Sequence, residues 1–309
     1  GFSCWLGVGD FWAGGGGGGG AGGGGAPAPH DSGTKPLSHR DRAEAGDYVA
    51  LGDSYSAGEG AFDYLPGTDE DDNQCHRSAH AYGSQVYDGG DFAGDFVFGA
   101  CSGGVVADYY GNNTSGNAGE GPQRDQITDD TSLITISMGG NDFGFATVLE
   151  YCVRHNCDTE EYRQQLEQTV AATQQQLVAM YQDMRDRAGP DAVIVVVGYP
   201  HLFVESGDHD VSYSSTITGE ERQFLNEVAD MADQAIQDAI GQANAGVEFV
   251  DIRDDFAGHE VGSDDPWIHD LDIEWDWFNT HPAASSFHPT AAGQSTIADA
   301  VNEQIDEGP

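Results

Sequence analysis

The chain has 309 residues, of which 53 are acidic and 11 are basic, and its formal net charge is −42. A field of that sign repels nucleic acid and anionic membrane surfaces, because both are bound through patches of Lys and Arg, so we expect neither as a partner. The sequence also lacks a run of the roughly 20 apolar residues that a membrane-spanning helix needs.

The first 45 residues differ in composition from the rest of the chain. Residues 13–29 are wholly Gly, Ala and Pro, so they offer little apolar surface to offset the entropy cost of ordering. We therefore predict a disordered leader or stalk over residues 1–45 and one folded domain over residues 46–309. Cys4 is a candidate lipid attachment site that would tether the protein to a surface, but the residues before it match such a signal poorly.

Beyond the leader, apolar runs alternate with longer helical patterns, which is typical of βαβ units around a parallel sheet. The predicted strands are 48–51, 95–100, 132–137, 192–198 and 247–251. Apolar residues at three- and four-residue intervals predict helices over 161–188, 218–242 and 290–305. We expect one three-layer α/β/α sandwich with a five-stranded parallel sheet.

Four further cysteines lie in the predicted domain: Cys75, Cys101, Cys152 and Cys157. No pair has the CxxC spacing of a metal site, and no cluster of ligand residues suggests one, so we predict no metal and no other cofactor. Four cysteines allow three pairings. We favour Cys75 with Cys101 and Cys152 with Cys157, which implies an oxidising, extracellular compartment. Four buried free thiols are the alternative.

Four polar clusters stand at positions where a parallel sheet places chemistry. Three of them follow predicted strands and the fourth precedes the last helix: 52-GDSYS-56, 101-CSGG-104, 139-GGND-142 and 286-SFHPTAAG-293. Ligands bind at the carboxyl ends of parallel strands, so the first three clusters should meet at one edge. Ser54 is a candidate nucleophile there. The turn alone fits equally well a helix cap formed by Asp53 and Ser54.

A serine hydroxyl is a weak nucleophile and needs a base within hydrogen-bond reach. His288 is the candidate base, because the following proline and helix start hold its backbone. His281 is also followed by proline and is the rival. We interpret His76 and His80 as surface loop residues.

The reaction at a serine nucleophile also needs donors for a developing oxyanion. The candidates are the backbone N–H groups of Ser54 and Gly103 and the side-chain amide of Asn141. For Gly103 the alternative is ordinary turn chemistry, which is the usual reason for a glycine.

The four clusters resemble, in order and context, the four blocks of the SGNH (GDSL-like) hydrolases. Within that superfamily the chain is similar to the actinobacterial secreted lipase, esterase and phospholipase A1 group from about Asp47 to Glu303. The matching runs include 98-FGACSGG-104, 139-GGNDFGF-145, 198-GYPHLF-203 and 266-PWI-268. The resemblance implies a flavodoxin-like SGNH fold, Ser54 as nucleophile and His288 as base. It also implies an oxyanion hole from Ser54, Gly103 and Asn141, and it suggests the same two disulfides.

The sequence departs from the resembling proteins at two positions. Many SGNH enzymes carry Asp three residues before the histidine, where this chain has Ser285. In the resembling group a main-chain carbonyl can accept the Nδ1 proton instead, so we predict a Ser–His dyad with the carbonyl of Ser286 as acceptor. Asp270 and Asp276 are the candidates for a triad carboxylate. Val261 stands where the group often has a cysteine, and the missing third disulfide should cost roughly 2 to 4 kcal/mol of stability.

These features together predict a secreted, monomeric serine esterase or lipase that acts on small-molecule or lipid esters. Two alternatives remain: a polysaccharide acetylesterase, or a non-catalytic surface protein that binds glycans or lipids on the same fold. The acidic residues are spread along the whole chain, as in halophilic proteins, so we expect the protein to lose structure in low salt.

Overall fold

The computed structural model describes residues 36–204, 217–275 and 280–309, with the backbone alone described at 153–154, 273–275 and 280–281. One compact unit extends from Leu37 to Pro309. Its helices are α1 (His39–Ala43), α2 (Ser54–Ala57), α3 (Tyr82–Gly89), α4 (Val106–Tyr110), α5 (Phe145–Arg154), α6 (Glu160–Ala188), α7 (Gly219–Ala243) and α8 (Ala291–Glu307). Its strands are β1 (Asp47–Gly52), β2 (Phe96–Phe98), β3 (Thr131–Ser137), β4 (Val193–Val197), β5 (Glu248–Val250), β6 (Ile273–Trp275) and β7 (Thr280–Pro282).

The main sheet confirms the predicted five parallel strands. Its order is β2-β1-β3-β4-β5, and every neighbouring pair is parallel. This is the flavodoxin-like order, in which the switch point between the two winding directions lies beside the first strand. Every residue of β3 and of β4 is buried, as expected for central strands that are covered on both faces.

The helices form two groups, one for each face of the sheet. Helix α8 contacts both α1 and α3, whereas α6 and α7 pack together and are joined by α4 and α5. The long helices begin at polar caps: Thr159 precedes α6, Thr218 precedes α7 and Thr290 precedes α8. The predicted three-layer α/β/α architecture is thereby confirmed.

The domain begins earlier than the sequence predicted. Helix α1 lies inside the segment assigned to the leader, and its Ala43 is fully buried. Arg40 of α1 hydrogen-bonds the main chain of α8 at Asn302. The boundary at residue 45 was wrong because the short helix carries a single buried side chain, too few to give a periodic pattern. Residues 1–35, with Cys4, lie outside the described part of the chain.

Both predicted disulfides are present. Cys75 is bonded to Cys101 and Cys152 is bonded to Cys157, across 26 and 5 residues of sequence. The first ties the loop after α2 to the segment that follows β2. Among the helices in the described ranges, none is both long and apolar enough to cross a membrane.

Candidate active site

Ser54 lies at the carboxyl end of β1, where the chain turns into α2. The turn requires glycine at position 52, whose φ is +126° and where a Cβ atom would lie 2.3 Å from the carbonyl oxygen of Ser137. Asp53 caps α2 by accepting the N–H of Tyr55 at 3.0 Å. Ser54 is the first residue of that helix, so its own N–H has no acceptor within the helix. The helix cap is therefore the role of Asp53.

The hydroxyl of Ser54 lies against the imidazole of His288. Its Oγ is 2.8 Å from Nε2, and Nδ1 on the other side of the ring is 3.0 Å from the carbonyl oxygen of Ser286. A carbonyl oxygen can only accept, so Nδ1 carries the proton of the neutral ring and Nε2 accepts the hydroxyl of Ser54. Burial lowers the pKa of His288, and the negative charge of Glu59 opposes that effect. The ring is thus a neutral acceptor at neutral pH.

The backbone around His288 is fixed on both sides. Phe287 has a φ of +60°, a left-handed conformation that is uncommon for a bulky residue and is held here by its surroundings. One of these contacts is the hydroxyl of Tyr55, which donates to the carbonyl oxygen of Phe287 at 2.9 Å. On the other side, Pro289 leads into Thr290, the cap of α8. These restraints keep the imidazole pointed at Ser54.

The remaining candidates for proton transfer are Asp270, Asp276 and His281. The carboxylate of Asp270 accepts the N–H of Leu271 at 2.7 Å. Asp276 and the side chain of His281 fall outside the described residues. Within the described ranges, no group of three or more His, Cys, Asp or Glu side chains is placed to hold a metal ion.

The residues proposed for the oxyanion hole come from two loops that touch each other. Gly103 has a φ of +75°, and the next residue, Gly104, packs so closely on β1 that a Cβ atom would lie 3.0 Å from the carbonyl oxygen of Gly52. The amide of Asn141 donates to the carbonyl oxygen of Gly104 at 2.9 Å. An amide nitrogen carries two hydrogens, so Asn141 keeps one for a further acceptor. The two loops thus meet beside the start of α2.

Tyr199, within the run 198-GYPHLF-203, joins the turn before α2 to the loop of Asn141. Its hydroxyl donates to Asp53 at 2.6 Å and accepts the N–H of Gly140 at 3.0 Å. Burial raises the pKa of Asp53 to about 7, although the bond from Tyr199 favours the charged form. The signal that could have identified Tyr199 is its place directly after β4, at the same sheet edge as Ser54 and Asn141.

Glu59 and His76 form a second buried pair next to the site. Nδ1 of His76 is 2.5 Å from a carboxylate oxygen of Glu59, and both residues are buried. The interpretation of His76 as a surface loop residue was wrong, because this long-range partner draws the ring inside. His80 is exposed, as expected. The signal for Glu59 was a lone carboxylate between two glycines, Gly58 and Gly60, five residues after Ser54.

A cavity of about 260 Å³ opens beside Ser54 and His288. Its wall is mostly apolar and is formed by α5, α7 and the segments that follow β4 and precede α8. The apolar side chains in this wall include Phe145, Leu149, Leu202, Ala229, Ala232 and Phe287. A few polar groups at one end of an apolar cavity are the usual form of a small-molecule site.

Comparison with known proteins shows the family of the chain. Residues 50–295 match the model of the GDSL-like lipase/acylhydrolase family. Lipase 1 of Streptomyces coelicolor is 35% identical over 263 residues, which cover 82% of this chain and 84% of that protein. The crystal structure of phospholipase A1 from Streptomyces albidoflavus has 34% identity and a TM-score of 0.64, over 84% of this chain and 99% of that one. An extracellular lipase from Streptomyces rimosus has 31% identity and the same TM-score, over the same shares of the two chains.

The chain belongs to the GDSL-like lipase/acylhydrolase family, whose model matches most of its length. It is a carboxylic ester hydrolase, as its similarity to the lipases and to the phospholipase A1 shows. The predicted class of enzyme is confirmed.

Proposed function

We propose that the protein is a secreted serine esterase or lipase in which Ser54 is the nucleophile and His288 is the base. The observation that carries the proposal is the chain of contacts from Ser54 Oγ to His288 Nε2, and from His288 Nδ1 to the carbonyl oxygen of Ser286, beside an apolar cavity. Neutral Nε2 takes the proton of Ser54 as Oγ bonds to the ester carbonyl carbon. The alcohol leaves with that proton, and water then releases the acid from Ser54 by the same steps.

The negative charge that develops on the carbonyl oxygen needs preorganised donors. The N–H of Ser54, the N–H of Gly103 and the free amide hydrogen of Asn141 supply them. Support comes from the contact between Asn141 and Gly104 and from the packing of Gly104 on β1, because they hold the loops of Gly103 and Asn141 together beside β1.

A main-chain carbonyl takes the place of the triad aspartate. The carbonyl oxygen of Ser286 fixes the tautomer of His288. Because this oxygen can only accept a hydrogen bond, Nδ1 must carry the proton. Asp270→Asn and Asp276→Asn should therefore leave kcat/KM nearly unchanged in a chromogenic ester assay. A loss near ~10⁴-fold in either variant would indicate a true triad and would contradict the dyad.

The substrates are acyl esters with an apolar acid part. The cavity beside Ser54 presents aliphatic and aromatic side chains, which suit an acyl chain better than a sugar. The relatives named above are lipases and a phospholipase A1. Removal of metals by chelation should leave the activity intact, since no step requires a metal or other cofactor.

Secretion is supported by the two disulfides and by the relative that is an extracellular lipase. Residues 1–36 are then a leader or stalk ahead of the catalytic unit that begins at Leu37, and the protein acts as a monomer.

The test is hydrolysis of p-nitrophenyl esters of increasing acyl length, and of a phospholipid, in high salt. The parent protein should hydrolyse them and Ser54→Ala should not, whereas Ser295→Ala on α8 should match the parent as a matched control. Activity that survives Ser54→Ala would refute the assignment of Ser54 as the nucleophile. Hydrolysis of acetyl esters alone would favour the polysaccharide acetylesterase, and binding without hydrolysis would favour the non-catalytic surface protein.

A further inference from the structure

Glu59 is a buried carboxylate that the reaction steps above do not use. It is 2% exposed and follows α2, where its N–H donates to the carbonyl oxygen of Ser54 at 3.0 Å. Its carboxylate accepts three hydrogen bonds, from Ser102 at 2.7 Å, Tyr64 at 2.8 Å and His76 at 2.5 Å. A carboxylate that accepts several hydrogen bonds keeps its charge despite burial. The pKa of Glu59 is accordingly lowered, although burial opposes that shift.

The groups around Glu59 leave a net negative charge. His76 lies between Glu59 and Asp69, whose carboxylate is 3.3 Å from Nε2, and the ring of Tyr64 stacks on His76 at 4.6 Å. The two carboxylates raise the pKa of His76 against the effect of burial. Two carboxylates and one imidazolium carry a combined charge of about −1 when all are ionised.

This charge lies next to His288. A Cβ atom on Gly60 would be 3.1 Å from Cβ of His288, so Gly60, the residue directly after Glu59, packs against His288. Nε2 of His269 lies 2.8 Å from the carbonyl oxygen of Gly60, and the ring of Tyr55 lies 5.4 Å from that of His288. Glu59 is the anionic group of this set, and its field raises the pKa of His288 while burial lowers it.

Glu59 also holds the loop that carries Gly103. The hydroxyl of Ser102 donates to Glu59, and the N–H of Ser102 donates to the carbonyl oxygen of Cys75 at 3.1 Å. The loop is therefore fixed at the residue directly before Gly103. A donor in an oxyanion hole acts only if it is held in place before the charge develops.

We infer that Glu59 is a positioning residue for ester hydrolysis: it fixes the oxyanion loop through Ser102 and supplies, through space, the negative charge that an aspartate supplies in a Ser–His–Asp triad. The inference rests on the proposed roles of Ser54, His288 and Gly103. It explains how the imidazolium that forms during the reaction is stabilised when Nδ1 faces only a neutral carbonyl oxygen.

The test is the pH profile of kcat/KM for Glu59→Gln, which removes the charge and keeps the shape. Without the carboxylate the imidazolium is less stable, so the acid limb should move to lower pH, and kcat should fall about tenfold or more. Ser102→Ala should lower kcat with little change in KM and leave the acid limb in place, because the charge remains. The matched control is Glu120→Gln, since Glu120 is a half-buried carboxylate paired with Arg77. Glu120→Gln should change neither kcat nor the position of the acid limb.

A folded Glu59→Gln protein with the parent's acid limb would overturn the inference. If Glu59→Gln does not fold, the Ser102→Ala variant tests the inference instead. A kcat for Ser102→Ala equal to that of the parent would overturn the inference as well. Failure of the proposed function gives a different result, because Ser54→Ala would then retain activity whatever Glu59 does.

Discussion

At the scale of single residues, the proposed mechanism depends on the protonation of His288. Its ring must be neutral to accept the proton of Ser54, and burial lowers its pKa from the usual 6.5. We therefore expect kcat/KM to be constant above neutral pH and to fall only below pH 6.5. Initial rates measured in high salt over a pH series give the midpoint of this fall.

A second group near the site titrates in this range and sets the control for that profile. Burial raises the pKa of Asp53 to about 7, but Asp53 caps α2 and does not accept the proton of Ser54. The acid limb should therefore persist in Asp53→Asn. A midpoint above pH 6.5, or a limb that disappears in Asp53→Asn, would contradict the assignment of His288.

The sequence identified some residues of the site and missed others for a physical reason. Ser54, Asn141 and His288 stand in short blocks at predictable points of the chain, and the structure brings them to one edge of the sheet. Glu59 and His76 stand in an irregular loop, where burial depends on a contact across 17 residues. Local pattern marks Glu59 only as a carboxylate between two glycines and does not indicate its partner, so the buried pair beside His288 could not be predicted.

At the scale of elements, prediction succeeded where apolar pattern is strong. The run 193–197 is buried throughout and matches the expected strand within one residue at each end. The strands β2 and β5 are three residues long, shorter than predicted. Each lies at an edge of the sheet and therefore pairs with a neighbouring strand on one side only. The pair β6–β7 was not predicted, since each strand contributes only three residues to it.

Helix α7 should determine acyl-chain preference, because it lines the cavity with small side chains. Ala229→Leu places a larger side chain there, so we expect kcat/KM for long-chain esters to fall about tenfold or more while short-chain esters are spared. Assays with p-nitrophenyl esters of increasing acyl length measure the ratio of kcat/KM for long-chain esters to that for short-chain esters. The control is Gln237→Leu on the exposed face of α7, and an equal loss for all chain lengths would contradict this role of the cavity.

The two disulfides should contribute unequally. The bond between Cys75 and Cys101 closes a loop of 26 residues and borders the oxyanion loop, whereas that between Cys152 and Cys157 closes only 5. Chain entropy predicts a loss of about 3 to 4 kcal/mol for replacing the first pair by Ala and about 2 kcal/mol for the second. Denaturant unfolding in high salt measures both. Equal losses, or full activity without the first bond, would contradict the account.

At the scale of the whole molecule, charge should set the conditions for folding. The net charge is −42 and the sequence contains a single lysine, Lys35. Salt at molar concentration shortens the screening length to about 3 Å, and at millimolar concentration the self-repulsion extends across the molecule. We expect the helical circular dichroism signal to be lost on dialysis into millimolar salt and restored in molar salt. A signal that is the same in both would contradict this expectation.

Covalent trapping tests the central claim, a Ser54 acyl-enzyme, most directly. An alkyl fluorophosphonate reacts with a serine that is activated by a neutral base, and mass spectrometry of the digested protein locates the adduct. We predict one adduct per chain, on Ser54, with no adduct in Ser54→Ala and a strongly slowed reaction in His288→Ala. An adduct on another residue, or no adduct in a protein that hydrolyses esters, would contradict the account.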